Sequence, residues 1–260
     1  MNLRQLRTQS VRPSPVFLGL VALTSLGGAL AWREGAQTRP LAYVGVFLLV
    51  VAGWVVSLCL HEFGHAFTAW RFGDRGVEAR GYLTLNPLRY SHPLLSLGLP
   101  LLIVALGGIG LPGGAVFVQT SFMTRARRSM VSLAGPAANL ILGVLLLVAT
   151  RYYGDPTHAV FWSGVAFLGF LQVTALVLNL LPVPGLDGYG ALEPYLSPAT
   201  RRAVEPANKW GLLVLLVLLI STPLNRWFFA LVFWFFDLFG VPHQLVSWGL
   251  ALTQFWSSWL

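Results

Sequence analysis

Long apolar runs are the feature that most restricts how this 260-residue chain can fold. Four runs approach the roughly 20 residues needed to cross the hydrocarbon core of a bilayer, at positions 15–32, 41–60, 131–150 and 159–181. Weaker runs follow at 211–222, 228–241 and 245–260. With 56% hydrophobic and 10% charged residues, the composition does not describe a soluble core. The sequence predicts an all-α polytopic membrane protein with about six transmembrane or membrane-embedded helices.

Basic residues are distributed unevenly around these runs. If the N-terminus is cytoplasmic, four of the 17 lysines and arginines, Arg33, Arg39, Arg151 and Arg226, lie outside and the others lie inside. Cytoplasmic loops carry such an excess, so this orientation is expected. The net charge of +8 is then a topology signal, and no nucleic-acid partner is expected. The short loops favour a bacterial cell membrane. A signal peptide is the alternative for the first run, although residues 27–32 form a poor cleavage site.

The apolar segment 93–119 does not fit a simple span, because the basic residues on both sides of it are expected in the cytoplasm. Helix-breaking residues occupy its centre: Gly107, Gly108, Gly110, Pro112, Gly113 and Gly114. A glycine-rich re-entrant β-hairpin satisfies both ends, provided that protein or a water-filled cavity shelters its backbone. Two short helices around a glycine kink are the alternative.

The motif HEFGH, at residues 61–65, lies at the end of the second run. On a helix, His61 and His65 stand one turn apart on the same face, where both can bind one metal ion. Glu62 is about 100° round the helix from His61, close enough to hold a water without being a ligand. Three polar groups in a membrane span are costly without a compensating ion. The motif therefore predicts a metal site with the active-site end toward the cytoplasm.

Zinc is the expected ion, because a catalytic zinc site has three protein ligands and an open position for water. The candidate third ligand is Asp187, in the sequence NLLPVPGLDGYG at the end of the fourth run, the depth expected for the histidines. Pro182 and Pro184 interrupt the helix, so the chain can turn the carboxylate inward. Most other downstream acids lie in polar loops, where a carboxylate is solvated: Asp74, Glu78, Asp155, Glu193 and Glu205. Asp237 lies in an apolar run, where an interfacial helix with this side chain facing water is expected.

These motifs resemble those of the site-2 protease family of intramembrane zinc metalloproteases. The second motif, N-x-x-P-x-P-x-L-D-G, is matched by Asn179, Pro182, Pro184, Leu186, Asp187 and Gly188. The sequence SLAGPAANL, at 132–140, resembles the family's G-P-x-x-N helix start, and residues 107–114 resemble its membrane-associated β-hairpin. The resemblance divides the chain into an N-terminal arm and first transmembrane helix (1–40), a metalloprotease core (41–195) and C-terminal membrane helices (196–260).

The resemblance implies a role for each matched residue. His61, His65 and Asp187 would hold one Zn²⁺ per chain, and Glu62 would act as the general base in peptide hydrolysis. Near the scissile carbonyl, the candidate substrate-binding or oxyanion groups are Asn139, Asn179, Gly113 and Gly114. Each asparagine has an alternative role as a structural hydrogen-bonding residue between helices.

The expected partners are the lipid bilayer and a transmembrane protein substrate. A substrate helix must unwind before cleavage, and a hairpin over 101–118 would pair with it by strand addition. No PDZ or CBS sequence is visible, so control of access falls to the membrane helices, a regulatory membrane partner or earlier trimming of the substrate.

Two other functions fit parts of the pattern. A zincin with a glutamate as third ligand would use Glu193 or Glu205, but neither lies in the required helical motif within an apolar span. A non-catalytic zinc-binding scaffold or carrier would need the ligands but has no use for Glu62.

Overall fold

The protein folds as a bundle of apolar helices in a computed structural model that describes residues 11–90, 116–206 and 222–254, with isolated positions 98, 102, 104 and 256. Helical structure without strands accounts for the regular elements of these residues. The main helices are α1 (Pro15–Glu34), α2 (Pro40–Arg71), α3 (Arg125–Tyr153), α4 (Ala159–Asn179), α5 (Asp187–Leu192), α6 (Pro198–Val204), α7 (Thr222–Phe239) and α8 (His243–Thr253).

Four helices in the described residues, α1 to α4, are long and apolar enough to cross a membrane. They confirm the four strongest predicted spans. Helices α7 and α8 pass the same test only together and are bent by 116° where they meet, so the described residues contain four spans, or up to five. The predicted count of six is not reached there. The glycine-rich segment with Gly113 and Gly114, and most of the 211–222 run, lie outside the described residues.

The four long helices alternate in direction, which brings the ends that matter for the site together. The backbone N–H of Ser14, at the start of α1, donates to the Thr84 carbonyl beyond the end of α2 (2.8 Å). At the opposite end of the bundle, the Val160 N–H of α4 donates to the Gly35 carbonyl after α1 (3.0 Å). Consequently the end of α2, the beginning of α3 and the end of α4 lie at the same end of the bundle.

Close contact between α1 and α2 depends on two glycines. A Cβ added to Gly27 would lie 2.8 Å from the Gly45 carbonyl oxygen, and one added to Gly45 would lie 2.6 Å from the Ala31 nitrogen. Small residues at such positions let membrane helices pack backbone against backbone. The glycines therefore fix α2 against its neighbour.

Helix α4 forms the centre of the bundle. Of its most apolar 18-residue window, 94% is buried, against 22% for α1. Phe167, Leu171 and Leu178 are among its fully buried side chains. A polar side chain on α4 therefore has to find its partners inside the protein.

Candidate metal centre

Helix α2 carries both histidines and the glutamate of the HEFGH motif. At about 1.5 Å per residue, His61 is roughly 32 Å along the helix from Pro40, about the thickness of a hydrocarbon core. The three side chains are nonetheless buried: His61 is 7% exposed, Glu62 is 3% exposed and His65 is 8% exposed. The helix thus places the motif at one end of a membrane span and inside the protein.

Asp187 reaches the two histidines from the first residue of α5. Its Oδ2 is 3.3 Å from His61 Nε2, and its Oδ1 is 3.4 Å from His65 Nε2. The two Nε2 atoms are 3.1 Å apart. The chain can reach this position because α4 ends at Asn179 and Gly185, with φ at 94°, turns the backbone toward α5. The structure brings together the three side chains predicted as ligands.

The hydrogen bond made by His65 Nδ1 leaves a lone pair on Nε2, the ring nitrogen that faces Asp187. His65 Nδ1 is 2.7 Å from the carbonyl oxygen of Val131, which can only accept, so Nδ1 carries the proton and a neutral ring has a bare Nε2. Asp187 Oδ2 is buried and finds no hydrogen-bond donor in the part of the chain described. A cation between these converging acceptor atoms would satisfy all of them.

The separations fit zinc. Two ligand atoms at 2.0–2.1 Å from a common tetrahedral zinc are about 3.3 Å apart, and the three observed separations run from 3.1 to 3.4 Å. Two nitrogens and a carboxylate oxygen are a typical donor set for a catalytic zinc with an open position for water. Within the described chain, His61, His65 and Asp187 form the group suited to a metal.

Helix α3 closes one side of the site through Gly135. A Cβ at Gly135 would lie 2.6 Å from His61 Nε2, and its space is also taken by His65 Nε2. The prediction that the G-P-x-x-N sequence starts a helix is wrong: α3 begins at Arg125, and Pro136 lies inside it. Because proline lacks an N–H, Pro136 leaves the carbonyl of Ser132 without its helical donor, one residue from the Val131 carbonyl that accepts from His65.

The general-base candidate is bonded to the chain that precedes α3. The backbone N–H of Val116 donates to Glu62 Oε2 (3.0 Å). Further along, the Gln119 N–H donates to Asp74 Oδ2 (2.7 Å). Asp74 is 3% exposed, so the prediction that this loop acid is solvated was wrong. Its carboxylate also accepts from the Gly76 N–H, and it fastens the segment 116–120 beside the site.

Of the other predicted residues, Asn139 contacts one of the histidines. Asn139 is 3% exposed and its Oδ1 is 2.5 Å from His61 Nδ1. Asn179 is 4% exposed and ends α4. Glu193 pairs with Arg128 at 3.8 Å. Neither Glu193 nor Glu205 belongs to the described metal-binding group, which leaves Asp187 as the carboxylate at the histidines.

Sequence reasoning missed Gly135 and the carbonyl of Val131 as parts of the site. It also missed the hydrogen bonds that join Asn139 to Gln172 (2.9 Å) and Gln172 to Ser57 (2.9 Å). A glutamine within the apolar run 159–181 was a usable signal, since a polar side chain in a span usually has a polar partner. The Val131 carbonyl gave no signal, because every residue has one.

Several known proteins are similar to this chain over most or all of its length. The protein named "Putative zinc metalloprotease Rip2" from Mycolicibacterium smegmatis is 71% identical over 100% of both chains. Its namesake from Mycobacterium tuberculosis H37Rv is 67% identical over 96% of this chain and 97% of the relative. "Putative zinc metalloprotease YwhC" from Bacillus subtilis is 37% identical over 66% of this chain and 80% of the relative.

No protein-family model matches the chain, and no solved structure matches it. The relatives favour the protease interpretation over a scaffold or carrier. Together with the apolar helices and the grouping of His61, His65 and Asp187, they identify the chain as an integral membrane protein of the site-2 protease family of intramembrane zinc metalloproteases.

Proposed function

We propose that this protein is an endopeptidase that binds one Zn²⁺ per chain and hydrolyses peptide bonds in or near transmembrane segments of other membrane proteins. The observation that carries the proposal is the convergence of His61 Nε2, His65 Nε2 and the Asp187 carboxylate at 3.1–3.4 Å inside a bundle of membrane-length helices. The membrane is proposed to be a bacterial cell membrane, with the N-terminus and the site toward the cytoplasm.

Each residue has a distinct task in this proposal. His61, His65 and Asp187 hold zinc, which when bound lowers the pKa of a bound water toward about 7 and polarises the substrate carbonyl. Glu62 takes a proton from the attacking water as the C–O bond forms, and it then delivers that proton to the amide nitrogen, so that the peptide C–N bond can break and release the amine. The Val116 N–H holds Glu62 Oε2, which leaves Oε1 to handle the proton.

Segment 116–120 is proposed to receive the unwound substrate. Its residues alternate between partly buried and exposed, the pattern of an extended chain. The Phe117 carbonyl accepts from Arg80 and the Gln119 N–H donates to Asp74, so one edge of the segment is already bonded to the protein. In an extended chain, Val116 and Val118 present their backbone groups to the opposite edge, which is the edge at Glu62. A substrate strand added there would lie beside the general base.

Zinc content tests the proposed site. Purified full-length protein in detergent is expected to contain about one zinc per chain, and Asp187→Ala and His61→Ala are each expected to lose most of it, because two protein ligands hold zinc poorly. Elemental analysis after removal of loosely bound metal measures this. Glu193→Ala is the matched control and should keep its zinc. Full zinc content in Asp187→Ala would place the third ligand elsewhere and contradict the proposal.

Deleting Val118 tests the proposed substrate strand. In an extended chain, the backbone N–H and C=O groups of successive residues point to opposite edges. Deleting one residue would therefore turn the backbone groups of each later residue in the segment to the other edge. We expect the cleavage site in a tagged single-span test protein to shift, as mapped by mass spectrometry. The zinc content should stay at its original value. Cleavage at an unchanged bond with unchanged efficiency would contradict strand addition at this segment.

A further inference from the structure

A chain of buried side chains connects the zinc site to the interior of the bundle. Asn139 Nδ2 donates to Gln172 Oε1 (2.9 Å), and Gln172 Nε2 donates to Ser57 Oγ (2.9 Å). The Ser57 hydroxyl donates to the carbonyl oxygen of Trp54 (2.7 Å). At its other end, Asn139 Oδ1 meets His61 Nδ1. The chain runs from α3 to α4 and back to α2, one helical turn before His61.

Every member of this chain is shielded from solvent. Gln172 is 0% exposed, Asn139 is 3% exposed and Ser57 is 4% exposed. Gln172 lies on α4, the most buried helix, among residues such as Leu171 and Val173. A buried amide without partners is costly, so these side chains have a strong preference for the one arrangement that satisfies all of them.

The direction of the chain is fixed at its far end. The Trp54 oxygen can only accept, so it takes the single proton of the Ser57 hydroxyl. Ser57 must then accept, which obliges Gln172 to present its NH₂ group to Ser57 and its oxygen to Asn139.

The constraint then passes to the histidine. Asn139 uses its NH₂ group on Gln172, so its oxygen faces His61. An acceptor at Nδ1 places the His61 proton there and leaves a bare Nε2 on the side of Asp187. If the oxygen and the NH₂ group of Asn139 exchanged places, those of Gln172 would have to exchange as well. The Ser57 hydroxyl would then have to donate to both the Gln172 oxygen and the Trp54 carbonyl, although it has one proton.

We propose that Gln172 and Ser57 are positioning residues which, through Asn139, hold His61 in the Nδ1-protonated form required of a zinc ligand. The Val131 carbonyl holds His65 directly in the same Nδ1-protonated form. The position of the ring proton is therefore fixed by different groups in the two histidines. The inference rests on the proposed zinc site and does not depend on proteolysis. In this arrangement the side-chain amide of Asn139 is occupied by His61 and Gln172. A role in stabilising the oxyanion would instead require its NH₂ group at the substrate carbonyl.

Gln172→Met tests the inference, because methionine keeps the length and volume of glutamine and removes both hydrogen bonds. Loss of a group that orients a metal-bound histidine typically weakens metal binding by about 10–100-fold, and we expect a loss in that range. Competition between the full-length protein in detergent and a chelator of known zinc affinity measures it. Ser57→Ala breaks the chain one step further away and should show a smaller loss in the same direction.

The matched control is Thr174→Val, on the same helix two residues away. Thr174 is also 0% exposed, and its hydroxyl has no hydrogen-bond partner among the described residues, so its zinc affinity should equal that of the unchanged protein. A general effect of altering a buried polar group on α4 would weaken zinc binding in this control too, and that result would overturn the inference.

A second measurement follows the proton itself. Nitrogen-15 spectra of metal-free protein labelled at histidine distinguish Nδ1–H from Nε2–H. The His61 signals should change from the Nδ1–H form to a mixture in Gln172→Met and Ser57→Ala, while those of His65 stay fixed. Unchanged His61 signals together with unchanged zinc affinity would overturn the inference. If the unchanged protein binds no zinc, the proposed function fails instead, and the spectra still decide the role of Gln172.

Discussion

Replacing Glu62 with glutamine is expected to reduce cleavage by about 10²–10⁴-fold and to leave the zinc content unchanged. Glutamine has the same shape, and its amide oxygen can still accept the Val116 N–H that now bonds to Glu62 Oε2. What is lost is the ability to take a proton from water and return it to the leaving amine. Because the three proposed ligands are other residues, the metal should remain.

The measurement is cleavage of single-span test proteins, tagged at both ends and carrying a glycine–proline pair in the span to ease unwinding. Zinc is determined on the same preparation. Glu78→Gln is the control: it makes the same chemical change on an acid that accepts from the Trp70 indole (3.2 Å), outside the metal-binding group. Undiminished cleavage by Glu62→Gln would show that another group moves the proton.

Replacing Gly135 with alanine is expected to weaken zinc binding by about 100-fold or more. The added Cβ would lie 2.6 Å from His61 Nε2, where a methyl group and a ring nitrogen cannot coexist. Either the imidazole rotates away from the metal position or α3 withdraws, and withdrawal would also remove the Val131 carbonyl from His65. Displacing a ligand atom should exceed the 10–100-fold effect of changing a residue that only orients one.

Gly143→Ala is the matched control, two turns further along the same helix. A Cβ there would make ordinary contacts of 3.4 Å to Val173 Cγ2 and 3.5 Å to Gln172 Cβ. Zinc affinity by chelator competition should therefore be close to that of the unchanged protein. Equal losses in the two variants would indicate a general disturbance of α3, and normal binding by Gly135→Ala would contradict the close approach seen at the histidines.

The sequence could predict those parts of the site that depend on the spacing of residues along one helix or on their depth in the membrane. His61 and His65 follow from helical periodicity, since residues four apart share a face. Asp187 follows from two prolines that end the apolar run at the depth of the histidines. The four main spans follow from length and hydropathy.

The remaining features depend on how helices pack, which spacing along one chain does not encode. Asp74 is followed by polar residues and reads as a surface acid, yet it is buried because the distant Gln119 supplies an N–H. The resemblance of SLAGPAANL to a helix start was misleading, because α3 begins at Arg125 and continues through Pro136. Likewise, Gln172 was visible as polar, but its partners come from α2 and α3.

The groups of the site belong to two kinds of element: the long helix α2, and short segments packed against it. One continuous 32-residue helix carries Trp54, Ser57, His61, Glu62 and His65, and it is held against α1 where glycines allow backbone contact. These groups can shift only as one body. Asp187 instead begins a six-residue helix after a turn, and Val116 belongs to a segment held by three side chains. A change that rearranges the site itself without moving α2 would therefore act on the short pieces that bring the carboxylate and the Val116 amide to α2.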